Sequence, residues 1–160
     1  MRDPATRERR FRFISQLGIR YRESQIVGQG STWKGVLKGG DRAPDAELKG
    51  AGGEKSVLGL CRGVSYHLLL FSGIGDTTVS KERLEEVGSE FLKGSDPFVN
   101  PHSILNTPPA NGNGNVDEES KVHELYGFKE PGYVLVRPDG HISFIGLLST
   151  MDELNIWVKK

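Results

Sequence analysis

Two β-rich runs joined by an Arg137-Pro138-Asp139-Gly140 turn constrain this chain more than any other segment. The runs are Gly132-Tyr133-Val134-Leu135-Val136 and His141-Ile142-Ser143-Phe144-Ile145, and Pro131 stands just ahead of the first. Proline presets φ near the value a turn needs, and Asp-Gly supplies a position that tolerates positive φ. A tight antiparallel hairpin is therefore predicted. The segment carries no obvious reactive group, so it speaks of architecture before chemistry.

The rest of the pattern agrees with a layered α/β domain. Tyr66-His67-Leu68-Leu69-Leu70-Phe71 is almost continuously apolar, as a strand covered on both faces should be. Residues 80–92 read as a helix, with Ser80 as cap, Glu82 in the first turn and Leu84, Val87 and Phe91 as the buried stripe. A second parallel strand is expected within 97–105, although Pro101 weighs against it. Residues 56–62 suggest a short helix or turn closed by Gly63, and 122–126 a helical turn. Thr150-Met151-Asp152-Glu153 has capping-box spacing ahead of a last helix whose Met151, Leu154, Trp157 and Val158 share one face. Residues 107–121 are rich in Pro, Asn, Gly and acid with almost nothing to bury, and are predicted to be a flexible polar loop. Strand, helix, strand, helical turn, antiparallel hairpin, terminal helix is the thioredoxin-like order: α/β, with a mixed central sheet, helices on both sides and a C-terminal β-hairpin.

Residues 1–38 differ and are expected to form an N-terminal arm or linker to a domain spanning 39–160. Within the arm, 7–17 suits a short helix with Phe11, Ile14 and Leu17 on one side. Ile19-Arg20-Tyr21-Arg22 alternates like an edge strand, and 28–32 read as loop. Phe11, Phe13 and Trp33 belong to a segment too short for its own core, so they must bury against this domain, a second copy or a separate protein.

Bulk properties exclude several classes. The chain of 160 residues is the size of one domain, and 21 basic residues balance 21 acidic ones. No basic field draws it to nucleic acid or anionic lipid, and no apolar run approaches the ~20 residues that cross a bilayer. Arg2, Arg7, Arg9, Arg10 and Arg12 hint at a transit peptide, but Asp3 and Glu8 interrupt them and no apolar region follows. Cys61 is the single cysteine, which leaves no internal disulfide, Cys-x-x-Cys pair or cysteine-rich zinc site. A cytoplasmic protein is expected.

Four segments then point to a family. Gly40-Asp41-Arg42-Ala43-Pro44-Asp45-Ala46-Glu47-Leu48, His67-Leu68-Leu69-Leu70-Phe71-Ser72-Gly73, Leu125-Tyr126-Gly127 and Tyr133-Val134-Leu135-Val136-Arg137-Pro138-Asp139-Gly140-His141-Ile142 resemble the C-terminal thioredoxin-like domain of FAD-dependent aromatic hydroxylases, the phenol hydroxylase-type class A flavoprotein monooxygenases. Leu17-Gly18-Ile19-Arg20-Tyr21-Arg22-Glu23-Ser24 resembles the junction where those enzymes leave their substrate domain. The resemblance implies a structural domain that packs on the flavin domain and contributes to dimerisation in some members, while FAD and NADPH are held by N-terminal domains absent from this chain. Ile145 departs from the family, which often has arginine there. On this resemblance the chain is expected to be a free-standing derivative or a truncated gene product.

Residues that might carry chemistry favour the plainer reading in each case. Gly28-Gln29-Gly30 is the nearest approach to a dinucleotide motif, but Trp33 takes the place of the third glycine. Peroxiredoxins share the Gly-Asp-x-Ala-Pro-Asp start, yet their cysteine follows the first core strand. Here Ser72-Gly73-Ile74-Gly75-Asp76 follows Phe71, and Cys61 precedes the strand as a small buried hydrophobe. Pro131 stands where thioredoxins place a cis-proline, a feature of architecture when no cysteine lies opposite. His67, His102, His123 and His141 have no metal-ligand spacing and no recurrent acid; His67 reads as a satisfied structural histidine and His141 as a surface residue beside the turn. Asp41, Arg42 and Asp45 read as turn caps with a solvated salt bridge.

No catalytic, cofactor-binding or metal residue is therefore assigned. The expected role is a non-redox structural, dimerisation or accessory module for flavin-dependent hydroxylation of phenol-like compounds, partnered by itself or by a flavin monooxygenase chain. The alternative is a small enzyme: a peroxiredoxin-like reductase using Cys61, or a tailoring enzyme with a pocket at the sheet edge.

Overall fold

The structure is a computed structural model and describes residues 27–50, 53–94, 99–110 and 112–158. The helix and edge strand expected before residue 27 lie outside the described residues. Among the described residues one mixed sheet contains eight strands: β1 (Gly28–Gln29), β2 (Glu47–Gly50), β3 (Gly53–Ser56), β4 (Tyr66–Phe71), β5 (Val99–Leu105), β6 (Asn115–Val116), β7 (Gly132–Val136) and β8 (Ile142–Leu147). They lie side by side in the order β1-β8-β7-β4-β5-β6-β2-β3. Helices α1 (Val57–Leu60), α2 (Lys81–Gly94), α3 (Lys121–Tyr126) and α4 (Met151–Val158) complete the fold.

β4 explains the layering. It is central, parallel to β5 and antiparallel to β7, and its side chains alternate between two cores. Leu69 and Phe71 point to a cluster with Val57 of α1, Val122 and Tyr126 of α3, Phe128 and Trp33. Leu68 and Leu70 point to the other, with Leu84, Val87 and Phe91 of α2 and Leu154 of α4. A strand apolar on both faces thus carries helices on both sides, the thioredoxin-like architecture. Full burial of Phe71 contributes roughly 2–3 kcal/mol from apolar transfer alone.

The hairpin forms across β7 and β8 with one refinement. Gly140 N–H donates to the Arg137 carbonyl and Arg137 N–H to the His141 carbonyl, while Gly140 takes φ +84°. The turn is followed by a left-handed glycine, and the register slips at Leu135/Val136, the bulged form of a short hairpin loop. Pro101 does not stop β5. β6 pairs with β5 at Ile104 and Leu105, so among the described residues no strand lies on the far flank beside Pro101 to need its donor.

Three expectations require correction. Gly28–Gln29, read as loop, is a strand parallel to Phe144 and Ile145 of β8. Of the burials open to Trp33, the structure takes the one against this domain: the ring is buried in the core, stacks obliquely on Phe128 at 4.9 Å and donates its indole N–H to the Leu37 carbonyl. Gly28, Trp33 and Leu37 thus pack against the sheet. The close approach is visible at Gly39, where an added Cβ would lie 2.5 Å from the Gly28 carbonyl oxygen.

The polar stretch 107–121 is not solvated throughout. Asn115–Val116 joins the sheet between β5 and β2, Val116 and Asp117 are buried, and Lys49 pairs with Val116. The capping box at 150–153 does not form. Residues Leu148–Thr150 are a 3-10 turn, the Thr150 hydroxyl donates to the Leu147 carbonyl, and Glu153 instead accepts Ser31 N–H (2.7 Å) and Ser31 Oγ–H (2.5 Å). The peptide bond before Pro131 is trans.

Candidate functional site

The C-terminal end of β4 is where this architecture concentrates polar groups. Ser72 follows Phe71 directly and is held by its backbone, its N–H donating to the Ile104 carbonyl and its carbonyl accepting Val79 N–H. Gly73 takes φ +84° beneath Pro131, whose nitrogen would lie 2.8 Å from an added Cβ, so only glycine fits this turn.

Opposite stand two residues that the local sequence brings in from β6 and α3. Asp117 ends β6 with its N–H on the Leu105 carbonyl, and its carboxylate then accepts the backbone N–H of His123 at 2.8 Å. Ser120, just before α3, is held in left-handed backbone at φ 59°, with its hydroxyl accepting the Asn106 side-chain amide at 2.6 Å. A non-glycine residue in that region marks a segment whose geometry is set by its surroundings.

The three side chains lie in line. His123 Nδ1 is 2.9 Å from Asp117 Oδ2, and His123 Nε2 is 3.4 Å from Ser72 Oγ. Ser72, Asp117 and His123 are 1%, 3% and 0% exposed. The carboxylate can only accept, so it assigns the proton to Nδ1 and leaves the Nε2 lone pair facing the serine. Burial lowers the His123 pKa, and the hydrogen bond and charge of Asp117 offset part of that shift, so the ring is neutral near pH 7. Ser72 Oγ also accepts Asn106 N–H at 3.0 Å, and its hydroxyl donates to the Gly73 carbonyl at 3.2 Å, an acceptor that His123 Nε2 at 3.4 Å competes with for the one proton. Ser72 lines a cavity of about 260 Å³ between the 78–82 segment and residues 105–110.

The other end of β4 carries a second histidine pair. His67 Nδ1 is 2.9 Å from His102 Nε2, and His67 Nε2 is 3.1 Å from the Arg62 carbonyl. His67 is thus the satisfied structural histidine expected from sequence, though its partner was not foreseen. Desolvation, then the neighbouring His67 and Lys55 charges, lowers His102 to about 4; desolvation also lowers His67.

Other predicted positions fall elsewhere. Cys61 caps the C-terminal end of α1, and burial, then Asp45, pushes its thiol up to about 12. That environment opposes the thiolate a peroxidatic cysteine requires. His141 is buried, not a surface residue, because Arg42 bridges to it and Asp139 lies 3.3 Å from its Nδ1. Asp41, Arg42 and Asp45 do separate work: Asp41 accepts Lys38 N–H, Arg42 bridges to His141 and Asp45 accepts Leu58 N–H at the start of α1. The Ser72–His123–Asp117 line was missed. Its residues are 45 and 6 positions apart or more along the chain, and no local motif joins them; only the pairing of β4, β5 and β6 does.

The flavin implied by the sequence resemblance does not fit the glycine pair it would need here. An added Cβ at Gly28 would lie 2.9 Å from the Phe144 ring and 3.2 Å from Trp157 Nε1, so that backbone is already packed and offers no cradle for a pyrophosphate.

No family model matches the chain, and no curated protein matches it in sequence. Solved structures do. The flavin-dependent monooxygenase PieE, solved with FAD and substrate, matches 98% of this chain with 29% of its own length at TM-score 0.66 and 22% identity. Aklavinone-11 hydroxylase, solved with FAD and aklavinone, matches 91% with 26% of its length at TM-score 0.58 and 25% identity. A peroxiredoxin-like protein from Aquifex aeolicus matches 85% with 96% of its length at TM-score 0.57 and 18% identity. The chain therefore has the thioredoxin-like fold and spans under a third of the length of the two FAD-dependent monooxygenases it resembles.

Proposed function

We propose that this chain is a thioredoxin-fold module without dithiol chemistry that serves flavin-dependent hydroxylation of phenol-like compounds as a structural, dimerisation or accessory part. The observation that carries this reading is the match of nearly the whole chain to a domain-sized portion of two flavin-dependent hydroxylases. The turn after the central strand supports it, because Ser72-Gly73-Ile74-Gly75-Asp76 holds no cysteine for thiol chemistry. The packed Gly28 backbone supports it too: FAD and NADPH belong to another part or another chain. Its partner is then a second copy or a flavin monooxygenase body, and its setting the cytoplasm.

Light scattering on the purified chain, with and without residues 1–26, tests the assembly. A dimer that carries no flavin band near ~450 nm is the expected result. A monomer that neither self-associates nor binds a flavin monooxygenase body would end this reading, as would stoichiometric copurified flavin. The Cys61 reductase alternative predicts hydroperoxide consumption lost in Cys61→Ser; the raised thiol pKa favours no such loss.

A further inference from the structure

We infer that Ser72, His123 and Asp117 form an acyl-transfer site, with Ser72 as nucleophile toward small carboxylic esters or thioesters. The inference rests on the order of atoms, not on the residue types alone. A carboxylate on Nδ1 and a hydroxyl on Nε2 of the same neutral imidazole is the polarity that proton abstraction from serine needs. The three groups come from separate elements yet line up at the C-terminal end of parallel strands β4 and β5, where open α/β sheets place their ligands.

Site and substrate class follow from the surroundings. The cavity of about 260 Å³ that Ser72 lines falls just below drug-sized pockets, which suits a small acyl substrate. Its walls carry the hydroxyls of Thr78, Ser80 and Thr107 and the charged side chains of Lys81 and Glu82 beside the apolar Val79 and Leu105. Asn106 N–H donates to Ser72 Oγ at 3.0 Å and so holds the nucleophile in place. The resting Nε2–Oγ distance of 3.4 Å is long, as such bonds are before substrate binds.

The chemistry balances without a cofactor. Ser72 Oγ attacks the acyl carbonyl carbon while its proton passes to His123 Nε2, and Asp117 stabilises the imidazolium. The C–O or C–S bond of the substrate breaks, and the His123 proton leaves with the alcohol or thiol. Water, deprotonated by His123, then attacks the acyl-serine, releasing a carboxylic acid and restoring the Ser72 hydroxyl. Asp117 is a positioning residue that acts through His123.

The full-length chain treated with a fluorophosphonate probe and read by intact mass and peptide mapping tests this. One adduct on Ser72 is expected, with p-nitrophenyl acetate hydrolysis that falls by about 10²-fold or more in Ser72→Ala. Cys61→Ser should label like the wild type. Asp117→Asn should label at least ~10-fold more slowly, and its half-maximal labelling should move to lower pH, because the carboxylate that raises the His123 pKa is gone. Wild-type labelling should vanish in guanidinium, which keeps the test decisive were a variant to misfold. No adduct on the folded wild type, an adduct elsewhere, or hydrolysis that survives in Ser72→Ala would overturn the proposal. None of these outcomes bears on self-association, so the assembly reading is judged separately.

Discussion

The two ends of β4 hold the same residue type in opposite circumstances. At the C-terminal end His123 is enclosed and faces a buried carboxylate; at the N-terminal end His67 meets another histidine and a carbonyl, with Lys55 nearby and, among the described residues, no acid bonded to either ring. Both rings are pushed toward the neutral form by burial. The first has a buried carboxylate to stabilise the charged form and the second just the Arg62 carbonyl, which makes the first the end better suited to moving a proton. The lesson is that burial alone yields a silent histidine, while burial with an acid on Nδ1 yields a base.

The largest expected effect separates the two ends most sharply. Asp117→Ala leaves the His123 N–H and Nδ1–H buried without their acceptor and should cost on the order of 3–5 kcal/mol in urea denaturation. Next, His67→Phe removes one bond to the Arg62 carbonyl and one to His102, for about 1–2 kcal/mol. A cost for Asp117→Ala no greater than that for His67→Phe would erase the distinction.

A smaller effect is read along the pH axis. The folded state holds His102 at about 4, below its ordinary 6.5, so the unfolded chain binds the extra proton first as pH falls. Stability should be full above ~6.5 and decline through the window down to ~4, with no further loss from this ring below it. His102→Gln should flatten that decline by on the order of 1 kcal/mol after allowance for solvent screening. A decline unchanged in His102→Gln would assign it to other groups. The smallest effect belongs to Cys61→Ser, expected to shift stability by less than about 1 kcal/mol. Maleimide should react slowly with native wild type at pH 8, because the thiol is held near 12, and quickly once the chain unfolds.

Sequence chemistry exposed the parts of the fold whose causes are local. The Asp139-Gly140 turn, the two-faced apolar run of β4 and the Leu84-Val87-Phe91 stripe of α2 each carry their reason within a few residues. β1 and β6 do not: each is two residues long and becomes a strand only because a distant strand lies alongside it. The β2–β3 hairpin was missed for a similar reason, since Leu48 is the single apolar residue of β2 and its pattern is too sparse to read. His141 beside a turn looked like a surface residue until the 40–43 segment folded over it. The candidate site suffered most, because an aspartate before a short helix and a serine after a strand acquire chemical meaning only from their separation in space. The dimerisation, cofactor and location expectations rest on the resemblance and wait on the measurements given above.

The short β1 strand has a practical consequence for handling this protein. Gly28–Gln29 and the Gly30 N–H cover the outer edge of β8, with the Ser31–Glu153 contact fastening the chain just beyond. A shortened chain starting at Gly39 would lay bare that row of backbone donors and acceptors beside Phe144 and vacate the Trp33 slot against Phe128. Such an exposed, apolar edge invites a neighbouring molecule to pair with it, so the trimmed protein should precipitate or form ladders of sheet where the longer one stays dispersed.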